Sequence, residues 1–336
     1  ELSAVNDAPI QRSCAVAFAF LCKEVTTRQR MIDEGALAAL VNLSSSSSKK
    51  VKADVCRALC NLSVVASQEA KAAREGVIYT AVSIAHVVPD VKDVCLKLLL
   101  NLTCVSASYQ KIEDVTEALV HFNNQHLSES EQLISMAALC NLSAIKGIQI
   151  RLIEDGCLQI VDTAVKSRNH ELRSIAADTV RNLTTEQKSR MKLVDYNIIG
   201  TLVTMSRDES EIIKKSCVQA FYNLSKDGTC REKIANGPAV VIIIKMSMEN
   251  FQNVEMGRTA AKTLRVLCGD RIAAPFLIAG NIVKALMSLI KVDDVVIRQY
   301  CAESICSLFQ LGDILKSLVD QSAVGVLVSL SQNNDN

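Results

Sequence analysis

The chain has 336 residues, of which 49% are hydrophobic and only 4% aromatic, with Pro 4, Gly 12 and no Trp. That balance excludes a strand-rich fold, which would need more aromatic and β-branched residues and more turn formers, and it predicts an all-α chain. With 37 basic and 36 acidic residues the formal charge is +1, so no whole-molecule field draws the chain to nucleic acid or to an anionic lipid surface.

In chain order, Asp7 to Cys22 reads as one helix. Its apolar run, Ala15 to Cys22, and the later run Ala239 to Ile244 fall short of the ~20 residues a membrane-spanning helix needs, so no direct membrane insertion is expected. No small-residue cleavage pattern follows the first run, which argues against a signal peptide. The chain does not open on Met, as expected of a fragment of a longer one. From residue 23 onward a phrase recurs: CRALCNLS ending at Ser63, LKLLLNLT at Thr103, MAALCNLS at Ser143, DTVRNLT at Thr184 and VQAFYNLS at Ser225. Its Asn falls at 61, 101, 141, 182 and 223, with Phe20, Val266 and Ser307 in the same place in degenerate copies. The spacings are 41, 40, 40, 41, 41, 43 and 41 residues. A period that steady marks a repeat architecture.

Between these phrases runs a second series, with Gly35, Gly76, Gly156, Gly237 and Gly280 each ahead of an apolar helix, and Asp114, Asn197 and Ser322 in the remaining copies. The chain is expected to turn this corner in a left-handed conformation, which glycine enters without steric cost. Polar joints at Ser44 to Lys50, Pro89-Asp90, Ser128 to Glu131 and Asp208 to Glu211 separate the second helix of each unit from the third and supply N-caps. Apolar residues recur at three and four positions, as in Val55, Leu59 and Leu62, so each helix has one core face that only a neighbour can cover.

An acidic-Gly second helix followed by an Ala-Leu-x-Asn-Leu-Ser third helix, at a period near 41, resembles the armadillo repeat over essentially all 336 residues. The resemblance implies a right-handed α-α superhelix, a single armadillo solenoid over 1–336. Its complete three-helix repeats are seven: 23–63, 64–103, 104–143, 144–184, 185–225, 226–268 and 269–309. Partial repeats at 1–22 and 310–336 flank them. It also implies that the third helices line a concave groove in which Asn61, Asn101, Asn141, Asn182 and Asn223 clamp the backbone of an extended peptide. A carboxamide suits that task, since it offers both a donor and an acceptor. The alternative is that these Asn side chains only tie neighbouring helices together. The same phrase matches a glycosylation acceptor at six sites, Asn42 included, but helical placement and abundant free Cys speak against that use.

One turn before each Asn stands the row Val16, Arg57, Lys97, Ala137, Asp178, Gln219, Lys262 and Glu303; two turns before stands a row holding Lys215 and Arg258. Import receptors of the family carry Trp in such a row, and this chain has none, so slots for a basic localisation signal are not expected. The row resembles β-catenin and its relatives more, where basic groove residues meet acidic partners. Two basic stretches follow, Arg57 with Lys97 and Lys215 with Arg258 and Lys262, unless they form an ordinary solvated face. The 13 Cys sit mostly in apolar runs, such as Cys56, Cys60, Cys301 and Cys306, and read as small core residues of a reducing compartment. The four His lack partners at metal or general-base spacing, and no phosphate-cradling loop follows a strand. Neither cofactor, metal nor catalytic residue is expected. The sequence therefore predicts a monomeric, cytoplasmic, non-enzymatic adaptor or scaffold that holds extended, partly acidic segments of partner proteins. Association with the nucleus or cytoskeleton stays open. So do a structural spacer that uses its convex or end surfaces, and a substrate-recruiting part of a larger ligase or transport receptor.

Overall fold

The computed structural model describes residues 7–65, 71–72, 75–104, 112–249, 253–311 and 315–332. Among these are 22 α-helices, one short 3-10 turn and no strand. The helices gather into two compact units, Glu1–Ile160 and Val161–Asn336. The first holds α1 (Ala8–Leu21), α2 (Val25–Asp33), α3 (Ala36–Leu43), α4 (Lys49–Leu62), α5 (Val77–Val87), α6 (Lys92–Thr103), α7 (Ile112–Asn123), α8 (Glu129–Ser143) and α9 (Gln149–Glu154); α10 (Cys157–Val165) spans the division. The second holds α11 (His170–Leu183), α12 (Gln187–Asp195), α13 (Ile198–Met205), α14 (Glu211–Ser225), α15 (Gly228–Ala235), α16 (Ala239–Ser247), α17 (Val254–Cys268), α18 (Ala273–Ala279), α19 (Ile282–Ile290), α20 (Val295–Phe309), α21 (Leu315–Asp320) and α22 (Ala323–Gln332).

The third helix is the spine of each unit. In the first, α1 packs on α4, α4 on α6 and α6 on α8; in the second, α11, α14, α17 and α20 stack in the same way. The reason is legible in α4, which buries Val51, Val55, Cys56, Ala58, Leu59 and Leu62, a stripe wide enough to need helices on more than one side. Second helices close the other side: α3 against α4, α5 against α6, α16 against α17 and α19 against α20. Helix starts follow the polar joints. Ser128 accepts from the Glu131 N–H while Glu131 reaches back to the Ser128 N–H, a complete capping box, and Ser48 and Asn169 cap α4 and α11.

The corners before the second helices are left-handed at Gly35 (φ 90°), Gly76 (φ 76°), Gly156 (φ 93°), Asn197 (φ 60°) and Ser322 (φ 68°), five of the positions the sequence marks. Three marked positions behave differently. Asp114 lies inside α7, so no such corner stands there. Gly237 passes into Pro238 (φ −67°), whose fixed ring angle starts α16 without a left-handed residue. At Gly280 (φ −79°) the left-handed residue is the next one, Asn281 (φ 65°). A Cβ at 280 would stand 2.6 Å from Cδ1 of Ile244, so the end of that side chain would have to shift to admit one.

Within the second unit, successive repeats are tied by aspartates that do two jobs. Asp294 accepts from the Ile297 N–H with Oδ1 (2.9 Å), capping α20, and from Nη2 of Arg258 with Oδ2 (2.7 Å). Asp208 divides its oxygens likewise between the Ser210 N–H and Arg173, and Asp270 between the Ile272 and Ala273 amides and Arg231. The hydrogen bond from Arg258 outweighs the opposing effect of burial and, with the Ile297 and Val296 amides, holds the Asp294 carboxyl below the usual carboxylate range. A depressed folded pKa means that this stabilisation is complete above the unfolded value, about 3.9, and is lost as pH falls through the folded value. Asp294→Asn is therefore expected to lower the urea midpoint at neutral pH, and the gap from the wild type should narrow steadily below about pH 4. A gap that stays constant down to pH 2 would contradict the pairing.

Candidate functional site

Each Asn of the recurring phrase lies in the last turn of a third helix, one turn after the row that holds Arg57, Lys97 and Gln219. Local sequence fixes that placement; what the carboxamides do is decided by the neighbouring repeat. Asn101 donates through Nδ2 to Ser63 Oγ (3.0 Å), and Asn141 donates to Thr103 Oγ1 (3.2 Å). In the second unit Asn223 donates to Thr184 Oγ1 (3.1 Å). Each hydroxyl hands its own proton to a carbonyl one turn back, at 2.7 Å in all three cases: Ser63 to Cys60, Thr103 to Leu100 and Thr184 to Arg181. The Ser or Thr of the phrase is thus the receiver for the next repeat's Asn, a role that sequence reasoning missed although the phrase contains it. Asn223 is further enclosed, 4% exposed, with Oδ1 accepting from Gln219 and Lys226. Asn182 accepts from Arg181. Asn61 differs: it is half-buried and makes no hydrogen bond among the described residues.

Asn61 opens into a concavity of about 520 Å³ in the first unit, where α1, α4 and α6 meet. The fold brings Arg57, Lys97 and Asn61 together there, and adds Lys23, one carboxylate, Asp54, and an apolar wall of Val16, Ala19 and Phe20. Phe20 stands where other repeats have Asn; it is 64% exposed, with the Lys23 ammonium 4.5 Å from its ring centroid. Arg57 pairs with Asp54 (2.9 Å) and Lys97 with Asp93 (3.2 Å). Both cations are solvent-exposed, in pairs of a kind that contributes about 0–1 kcal/mol, so a ligand carboxylate can compete for either. Cys60 also lines this hollow and burial pushes its thiol up to about 11, which keeps it a thiol. Cys56 and Cys301 are buried as the sequence predicts, whereas Cys306 reaches the surface.

The second basic stretch is rearranged. Lys215 is exposed on α14, and Arg258 is drawn away to Asp294. Lys262 instead lies with Lys226 at Tyr222, their ammonium groups 4.8 Å and 4.3 Å from the ring centroid. Asp178 is held by Ser216 (2.7 Å) and Arg181 (3.0 Å). A further concavity of about 500 Å³ in this unit is lined by compensated charges, Arg231 with Asp270 and Arg265 with Glu303. Among the described residues, no group of three His, Cys, Asp or Glu is placed to hold a metal ion, and no single helix is long and apolar enough to cross a membrane.

Three-helix units stacked through their third helices, with an amide relay passing from one to the next, define an α-helical repeat protein. Residues 27–64 match the family model described as Armadillo/beta-catenin-like repeat. An engineered protein of known crystal structure superposes with a TM-score of 0.73 at 20% identity, over 100% of this chain and 84% of that one. A designed armadillo repeat protein in complex with the peptide (KR)4 matches with a TM-score of 0.55 at 16% identity, over 81% of this chain and 99% of that one. Another designed armadillo repeat protein gives 0.52 at 17% identity, over the same shares, 81% and 99%. No curated protein matches. Residues 27–64 thus match an armadillo repeat, and the described residues share the fold of designed armadillo repeat proteins.

Proposed function

We propose that this chain is a non-catalytic protein-binding scaffold of the cytoplasm that holds extended, partly acidic segments of partner proteins against its third helices. The observation that carries the reading is the concavity at α1, α4 and α6, where an unoccupied carboxamide, exposed cations and an apolar wall share one hollow. Asn61 can meet both N–H and C=O of a peptide backbone whatever its side chains. Arg57, Lys97 and Lys23 favour a carboxylate beside it, and Phe20 with Val16 offers cover to an apolar neighbour. The designed relative was solved with the basic peptide (KR)4; here the charge lining the hollow has the opposite preference. Asn101, Asn141 and Asn223, each already donating to the preceding repeat, serve mainly to hold the third helices in register.

Titration with acidic peptides of about a dozen residues tests this. Asn61→Ala is expected to weaken binding by about 1 kcal/mol, roughly fivefold in Kd, without changing the urea midpoint. Asn141→Ala is expected to act the other way round, lowering stability and leaving Kd within about twofold. Wild-type affinity in Asn61→Ala would remove the carboxamide from the site.

A further inference from the structure

We propose that Tyr222, Lys226 and Lys262 form a site for a phosphoryl group carried on an extended peptide, a second binding point that lies wholly within Val161–Asn336. Tyr222 is in the last turn of α14, Lys226 caps that helix, and Lys262 comes from α17 of the next repeat. Both ammonium groups lie against one ring, at 4.3 Å and 4.8 Å from its centroid. They are therefore closer together than a Debye length, roughly 10 Å at 0.1 M salt, and their repulsion is not screened away. The negative face of the ring offsets part of that repulsion. No carboxylate stands within ion-pair distance of Lys226, Lys262 or Lys215 among the described residues.

Four other third-helix cations in this unit are matched: Arg173 with Asp208, Lys214 with Glu249, Arg258 with Asp294 and Arg265 with Glu303. Two converging cations without an acid are the departure from that pattern. A carboxylate would answer one of them. A phosphoryl group, with a charge of about −1.5 to −2 at neutral pH and three acceptor oxygens, answers both. Lys226 already donates to Asn223 Oδ1 (3.4 Å), which fixes its direction and leaves further N–H donors for the ligand. Gln219 and Lys215 lie one and two turns back along α14, so a peptide running beside that helix meets a polar and then a cationic side chain.

The site rests on the reading that the chain holds extended peptides, but none of its residues lines the Arg57 concavity, so the two fail separately. The test uses the full 336-residue chain and one flexible peptide in three forms, with phosphoserine, serine or glutamate at its centre, together with inorganic phosphate. The phosphoserine form is expected to bind at least about tenfold tighter than the serine form. In the double variant Lys226→Gln/Lys262→Gln the preference should fall to about twofold while affinity for the serine form is unchanged. In Arg57→Glu/Lys97→Glu the preference should persist. Equal binding of phosphoserine and serine forms by the wild type, or a preference that survives the double glutamine variant, would overturn the site. Glutamate matching phosphoserine would overturn the dianion, and inorganic phosphate competing as well as the phosphopeptide would overturn the peptide as its carrier.

Discussion

Phe221→Ala is expected to cost about 3–5 kcal/mol, the range for deleting a large aromatic side chain from a closed core. Phe221 is 1% exposed, one of the two largest fully buried side chains among the described residues, and faces α16 and α17 of the next repeat from α14. It already borders a narrow void of about 10 Å³ shared with Ile243, Met246 and Ala260, too small to hold a water molecule comfortably. Removing the ring merges its space with that void, and the lining helices are held by their own neighbours and cannot collapse far enough to fill it. Because each repeat touches only those next to it, the loss should be concentrated locally. Amide hydrogen exchange should quicken in α14, α16 and α17 well before it does so in α4 and α6. Phe221→Leu, which keeps most of the volume, should cost about 1 kcal/mol. Equal loss of protection throughout the chain would refute the local picture.

Reversing both cations of the first concavity, Arg57→Glu with Lys97→Glu, is expected to weaken acidic-peptide binding about 100-fold at low salt, because two attractions become two repulsions across a partly desolvated hollow. The difference should shrink to about tenfold near 1 M salt, where the Debye length falls to roughly 3 Å. Asp54 and Asp93, now facing like charges, lose partners that were exposed and weak, so the urea midpoint should move little. A basic peptide of the same length should gain affinity in the variant. Should acidic peptides bind the variant as they bind the wild type, the hollow is not where they sit.

Much of this molecule is local physics written out along the chain. The 41-residue period, the apolar stripe of each third helix, the Ser48, Ser128 and Asn169 caps and the corners at Gly35, Gly76, Gly156 and Asn197 follow from backbone preferences and side-chain spacing within a few residues. Where two local solutions compete, the sequence pattern is ambiguous: a proline can open α16 after Gly237, and Asn281 can take the left-handed place beside Gly280. The site was legible as a row of candidates, Arg57, Lys97 and Asn61 among them, because one helix turn sets which residues share a face.

What tertiary structure alone decided is which of those candidates is free to act. Asn61 and Asn141 are the same residue in the same phrase, yet one faces an open hollow and the other donates to Thr103, 38 residues earlier in the chain. Arg258 and Lys262 are one turn apart, yet the first is held by Asp294, 36 residues later, while the second turns to Tyr222 beside Lys226. A carboxamide or a cation carries its chemistry in the sequence, but its availability depends on the partner that the next repeat presents, and that pairing exists only once the repeats are stacked.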